Sequence, residues 1–223
     1  PMKFVDVNGD SIFIRTGKGK EKIALYDNGV VTNRDGTKYT GKGVKERKDG
    51  SVKLQGFLKQ TVNALDKIRS GGPVGSNLVS TLEKDNDIFV ITKGPVNDAR
   101  GRAVHFNPAS FEAGLDVNGS RNTSPFVSLA HELAHALDWD NGSIDTRTWI
   151  TYSDNKTTST RAEIYASHVE NQIRAENNLP LREFYGIDQG KGVGRLLIPG
   201  TRMSAHYMQT QKVPTLIQIP FKY

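Results

Sequence analysis

Along the first fifty positions hydrophobic and polar residues alternate. "SIFIRTG" and "EKIALYDNGVVTN" place an apolar side chain at every second position, the repeat of a strand with one buried face. Asn28–Gly29 is a strong signal for a tight hairpin turn. "RDGTKYTGKG" adds glycine and charge with little to bury, so residues 1–50 read as a β-meander or linker extension more than as core. From Ser51 the period lengthens. Leu54, Phe57, Leu58, Val62, Leu65 and Ile68 recur at helical spacing, and Gly71–Gly72 supply a stop. A shorter helix is expected from Ser76 to Leu82, then two buried strands in "DIFVITKG" and "RAVHFNP".

"NTSPFVSLAHELAHALDW" predicts a second long helix, with Ser124 as N-cap, Pro125 at the first helical position and an end near Asp140–Asn141–Gly142. "STRAEIYASHVENQIRAENN" predicts another, closed by Leu179–Pro180. "RLLIPG" and "TLIQIPFKY" are apolar and interrupted by proline, which suggests short edge strands or an extended segment on the body. Helices with a small mixed sheet give an α+β fold, divided into an extension over 1–50 and a main domain over 51–223.

Composition narrows the chemistry. The chain has 223 residues, 36% hydrophobic, enough to bury a core, and no apolar run long enough to span a membrane. It begins at Pro1, which suggests a piece of something longer. With no cysteine, any metal must be held by His, Asp or Glu, and a reducing compartment is mildly favoured. Residues 1–80 carry 15 Lys and Arg against 8 Asp and Glu, so positive charge is concentrated there. Such a segment can attract nucleic acid or an acidic partner, but without interleaved aromatics the plainer reading is a solvated surface.

"SLAHELAHALDWD" carries the sharpest signal. On a helix His131 and His135 lie one turn apart, with Cβ atoms about 5–6 Å from each other. From there two imidazole nitrogens can each reach roughly 2.0–2.1 Å from one zinc ion. Glu132 is placed to touch a water on that ion, whose pKa falls toward about 7, and to relay its proton. That is the division of labour of H-E-x-x-H peptidases. Leu129, Ala130, Leu133, Ala134, Ala136 and Leu137 make the helix apolar almost all round, and two buried histidines need partners that one cation supplies.

A catalytic zinc wants a third protein ligand. The extended motif with a third histidine fails, since Asp138 and Asn141 stand at its glycine and histidine positions. Asp138, about 10 Å along the axis from His131, is out of reach and instead orients His135 or caps the helix. Glu163 is the best donor, although Thr160-Arg161-Ala162-Glu163 also spells a capping box that would tie it to the helix N-terminus. Glu170 and His168 are fallback ligands or outer partners. His105 reads as a strand residue.

These residues carry a resemblance. "LAHELAHALDW" followed by "AEIYASHVENQIRAENNLPLREFYG", about Ser124 to Gly186, resembles the NleD-like effector metallopeptidases, found as injected bacterial effectors and as toxin tips of Rhs-repeat proteins. The resemblance implies a zincin-like fold, with a second ligand-bearing helix after the H-E-x-x-H helix. It also implies a zinc endopeptidase acting in the target-cell cytoplasm, with His131 and His135 on the metal and Glu132 as catalytic carboxylate. Glu163 is assigned as third ligand by the reading above. The implied partners are a protein substrate, a cognate immunity protein and an Rhs carrier or secretion apparatus, and no membrane. "PMKFVDVNGDSI" is similar to the end of an Rhs core, though Asp6-Val7 replaces its usual Asp-Pro.

Peptide hydrolysis also needs a donor for the oxyanion. Tyr152, Tyr165, Tyr185 and the pair His206–Tyr207 are candidates, and His206–Tyr207 is preferred because it lies in a polar segment after an apolar one. "AVHFNP" is expected to be the edge strand with which an extended substrate pairs. Two rival readings are a nucleic-acid-acting toxin using the basic N-terminal half, and a binding module with a purely structural metal.

Overall fold

The computed structural model describes residues 12–19, 22–111, 113–213 and 215–223. The residues before Ile12, including most of the stretch similar to an Rhs core, lie outside them. Three strands come first, β1 (Ile12–Arg15), β2 (Ile23–Asp27) and β3 (Val30–Thr32), then the small hairpin β4 (Val44–Glu46) and β5 (Val52–Leu54). Helices α1 (Gly56–Gly71) and α2 (Pro73–Glu83) lead to β6 (Phe89–Lys93), β7 (Asp98–Arg100) and β8 (Ala103–Phe106). Helix α3 (Pro125–Asp140), the pair β9 (Thr148–Thr151) and β10 (Thr158–Thr160), and helix α4 (Ala162–Glu176) follow. Two hairpins end the chain, β11 (Phe184–Asp188) with β12 (Lys191–Arg195), and β13 (Met203–Val213) with β14 (Thr215–Lys222).

The main sheet has the order β3-β2-β1-β6-β8-β7, with β1–β6 and β6–β8 parallel and the other pairs antiparallel. The period-2 pattern explains its burial. Ile12, Ile14, Ala24, Tyr26, Phe89, Ile91, Val104 and Phe106 occupy alternate positions on four neighbouring strands and all enter one core with the four helices. Strands β1, β2 and β3 are therefore half of the central sheet rather than a linker, and even Tyr39, in the glycine-rich stretch, is buried. The β4–β5 hairpin straddles the boundary expected between residues 50 and 51, so the described residues on its two sides fold together. At the turn before β3, Asn28 (φ 47°) and Gly29 (φ 81°) adopt the left-handed conformations a tight hairpin requires.

Several helix ends are fixed from a distance. Ser124 and Pro125 stand at the expected positions at the start of α3, but the serine side chain makes no capping bond. Helix α2 begins at Pro73, three residues before the expected start, and its Val74 and Gly75 N–H groups donate to the Glu176 carboxylate of α4. Helix α4 ends at Glu176, before Leu179–Pro180, where Asn178 turns left-handed at φ 54°.

Two strand expectations are corrected. "AVHFNP" is not an edge: β8 lies between β6 and β7, and β7, three polar or small residues with no apolar alternation, forms the edge. The tail is not a set of short edge strands but includes an 11-residue and an 8-residue strand paired as one arm.

Candidate metal centre

Helices α3 and α4 pack along each other, and that contact builds the site. His131 and His135 project from the same side of α3, ring centroids 4.8 Å apart at 77°. Glu163, in the first turn of α4, meets both: its Oε2 lies 3.1 Å from His131 Nε2 and 2.9 Å from His135 Nε2. The capping-box alternative is absent, since Arg161 occupies the N-cap position and no side-chain cap forms. The ligand atoms of these three residues lie within 4.8 Å of one another, an N2O donor set that could hold a metal ion.

The opposite nitrogen of His131 is fixed by Glu170, two turns further along α4, with Nδ1 2.9 Å from Oε2. Glu170 is itself clamped. Arg174 Nε donates to Oε1 at 2.8 Å and Arg182 Nη1 to Oε2 at 2.8 Å. Arg174 also donates to the Thr123 hydroxyl and the Pro180 carbonyl, while the Asn171 amide bonds the backbone of Arg182 on both sides. All of these side chains are buried, Glu170 at 2% exposure. Burial opposes ionisation of Glu170, but Arg182, Arg174 and His131 overcome it and hold its pKa well below the usual carboxylate value. Glu170 thus stands behind His131, in the position that fixes which nitrogen faces a cation. The i,i+4 spacing of Glu170 and Arg174 was a visible signal for this pair; the Arg182 contact was not.

Electrostatics concentrate here. Burial alone would lower the pKa of His131, yet hydrogen bonds to Glu163 and Glu170 push it up to about 10. Burial would raise Glu163, and the two imidazoles drive it far down instead. Glu132 is buried, shares no charged hydrogen bond among the described residues, and is raised by that burial against the pull of His131 and His135. A carboxyl shifted upward beside a cleft is suited to taking and giving protons.

Two cavities of about 270 and 360 Å3 adjoin at Asn97, His131, Glu132 and Tyr185, which line both. They make one groove beside the edge strand β7, with Ser110, Ala113 and Ser128 toward one end and Trp139, Ile144 and Thr160 toward the other. Tyr185 on β11 stacks over His131 at 6.4 Å. Burial first, and then the Glu163 charge, raise its phenol well above an ordinary tyrosine. Its position depends on Gly114: a Cβ there would lie 2.1 and 2.2 Å from the carbonyl oxygens of Phe184 and Tyr185, so only glycine lets that loop approach.

The other candidates lie elsewhere. His206 is exposed, packs edge-on against Trp149 and donates from Nε2 to the Arg195 carbonyl. Tyr207 stacks on His168 at 3.9 Å, and neither residue lines the groove. His168 Nδ1 lies 2.8 Å from the Tyr223 hydroxyl, so it is no ligand of this group. Tyr165 and Tyr152 line neither cavity. Asp138 accepts from Ser143 at the end of α3 and does not orient His135. His105, on β8, pairs with Asp98 of β7 at 2.7 Å. A second acidic group, Asp85, Asp87 and Asp140, already has Arg102 bonded to Asp87 and Asp140.

Fold and site together define an α+β protein whose candidate metal centre, two imidazoles and a carboxylate from adjacent helices, opens on a groove bordered by a strand edge. The Peptidase_M91 family, described as effector protein, matches residues 47–185, and the chain belongs to it. It is accordingly a bacterial effector protease. No curated protein and no solved structure matches the chain. The matched segment contains every residue of the centre and of Glu170's clamp, whereas β1, β2 and β3 precede it.

Proposed function

We propose that the protein is a zinc-dependent endopeptidase, with His131, His135 and Glu163 as metal ligands and Glu132 as general base. The observation that carries this is the convergence of the two Nε2 atoms on one Glu163 oxygen, with Glu132 free in the adjoining groove. A zinc ion held there would supply Lewis acidity to the attacking water and the scissile carbonyl. Glu132 removes a proton from the water as its oxygen attacks the carbonyl carbon, and passes that proton to the leaving amine nitrogen as the C–N bond breaks. The Tyr185 hydroxyl donates to the carbonyl oxygen as negative charge develops; this role goes to Tyr185, not to His206 or Tyr207, because Tyr185 lines the groove. The outer edge of β7, beside Glu132, offers backbone groups to an extended substrate.

By the same reading the protease is delivered as a toxin by a bacterial secretion apparatus, with an Rhs-type carrier preceding it. It cuts a protein in the target-cell cytoplasm and is neutralised in the producing cell by a cognate immunity protein. Metal analysis beside cleavage of a target-cell lysate tests the central claim. Wild type should carry one zinc and cut; Glu132→Ala should keep the zinc and the fold and lose cleavage. Undiminished cleavage by that variant would refute the mechanism.

A further inference from the structure

A cavity of about 600 Å3 lies away from the metal centre, against the C-terminal ends of β1 and β6 and the first turn of α1. Arg15, Lys18, Lys42 and Lys93 line it, and among the described residues no carboxylate does. These four cations make no hydrogen bond or ion pair among the described residues. Helix α1 has no acidic residue in its first turn and no side-chain cap, and the N–H groups of Gly56, Phe57 and Leu58 have no partner among the described residues. Exposed donors at a helix start favour an anion.

Topology places the cavity. After β1 the chain turns back into the antiparallel strand β2, and after β6 it continues to β7 and β8 on the other side, so the cavity lies at the carboxyl ends of β1 and β6 where the two connections part. Its volume falls in the range of small-molecule sites, roughly 300–1,000 Å3.

The geometry points to a second binding site here, for a compact small molecule carrying several phosphate groups. Phosphates sit among the four side chains and against the α1 N–H groups, and Phe57 offers an apolar wall to the rest of the ligand. A concave pocket suits a compact polyanion better than a nucleic-acid strand, which calls for an extended basic track with stacking aromatics. The inference does not depend on the protease reading.

Calorimetric titration of the full chain with inorganic phosphate, tripolyphosphate, ATP and inositol hexakisphosphate tests it. The polyphosphates should bind at least about tenfold more tightly than inorganic phosphate, as added charge-assisted bonds require. Preference for ATP over tripolyphosphate identifies a nucleotide, and preference for inositol hexakisphosphate a polyol phosphate; either supports the site. Lys42→Ala with Lys93→Ala should weaken binding about tenfold or more, while Lys45→Ala with Lys53→Ala, on β4 and β5 outside the cavity, should not. Gln55→Asp, which caps α1 with a carboxylate, should raise the melting temperature and weaken the probes. Failure of every probe to bind at about 1 mM overturns the proposal, as does equal weakening by the control pair. So does a single-stranded oligonucleotide that binds more tightly than every small probe.

Discussion

Glu170 offers the most demanding test of how the proposed metal centre is held. Its two oxygens accept from Arg174, Arg182 and His131, all buried. Glu170→Ala leaves two guanidinium groups without their carboxylate in the interior, a loss of about 3–5 kcal/mol. Glu170→Gln keeps the volume and one acceptor oxygen but discharges the site. Losing the charge on two bonds worth about 1.5–3 kcal/mol each, with one oxygen still accepting, places its cost near 3 kcal/mol. The second consequence is local. In Glu170→Ala the ring loses the oxygen that accepts from Nδ1, and with it the partner that aims Nε2 at the cation, whereas a glutamine oxygen at the Oε2 position keeps that bond. Loss of such an outer partner lowers metal affinity about 10–100-fold, or about 1.4–2.8 kcal/mol. Urea unfolding with chelator present reads the first effect, and zinc competition against a chromophoric chelator reads the second. Stability lost in Glu170→Ala with zinc affinity within about twofold of wild type would show that Glu170 serves only the core.

Other expectations follow from the same geometry. Tyr185→Phe should keep zinc and fold yet slow cleavage by about 100-fold or more, the effect of removing an oxyanion donor, while Tyr207→Phe leaves the rate near wild type; the reverse pattern would restore the His206–Tyr207 assignment. Gly114→Ala should cost about 1–3 kcal/mol in thermal unfolding and lower cleavage through Tyr185, because the added methyl meets the backbone of β11. Burial lowers the His168 pKa from 6.5 to about 4, so the unfolded chain takes up its proton first as pH falls. Stability should therefore decline between about pH 6.5 and 4, by about 2 kcal/mol after discounting for partial exposure, and level off below. His168→Gln should flatten that slope in pH-dependent denaturation; an unchanged slope would place the proton uptake elsewhere.

What could be read from residue order was local. His131, Glu132 and His135 share one helix, and the Asn28–Gly29 turn is set by two adjacent residues, so their geometry follows from spacing alone. Glu163 has two local readings, the preferred one as ligand and the other as cap, and only the packing of α4 on α3 distinguishes them. β7 was invisible because Asp-Ala-Arg pairs through its backbone and carries no apolar alternation. Tyr185 and Tyr207 are both tyrosines on late strands; what separates them is which strand a loop around Gly114 allows beside α3. The core role of residues 12–32 was obscured by the charge and glycine that follow them, although Ile12, Ile14, Ala24 and Tyr26 carried the pattern.

The place of β1 in the middle of the main sheet has a practical outcome for anyone trimming the gene. An expression product limited to the family-matched stretch, 47–185, would discard β1 to β3 and strip β6 of one neighbour. Phe89 and Ile91 would lose the Ile12 and Ile14 surface beside them, and a bare strand margin would invite self-association. Such a fragment should collect in inclusion bodies even though it retains every donor of the candidate metal centre.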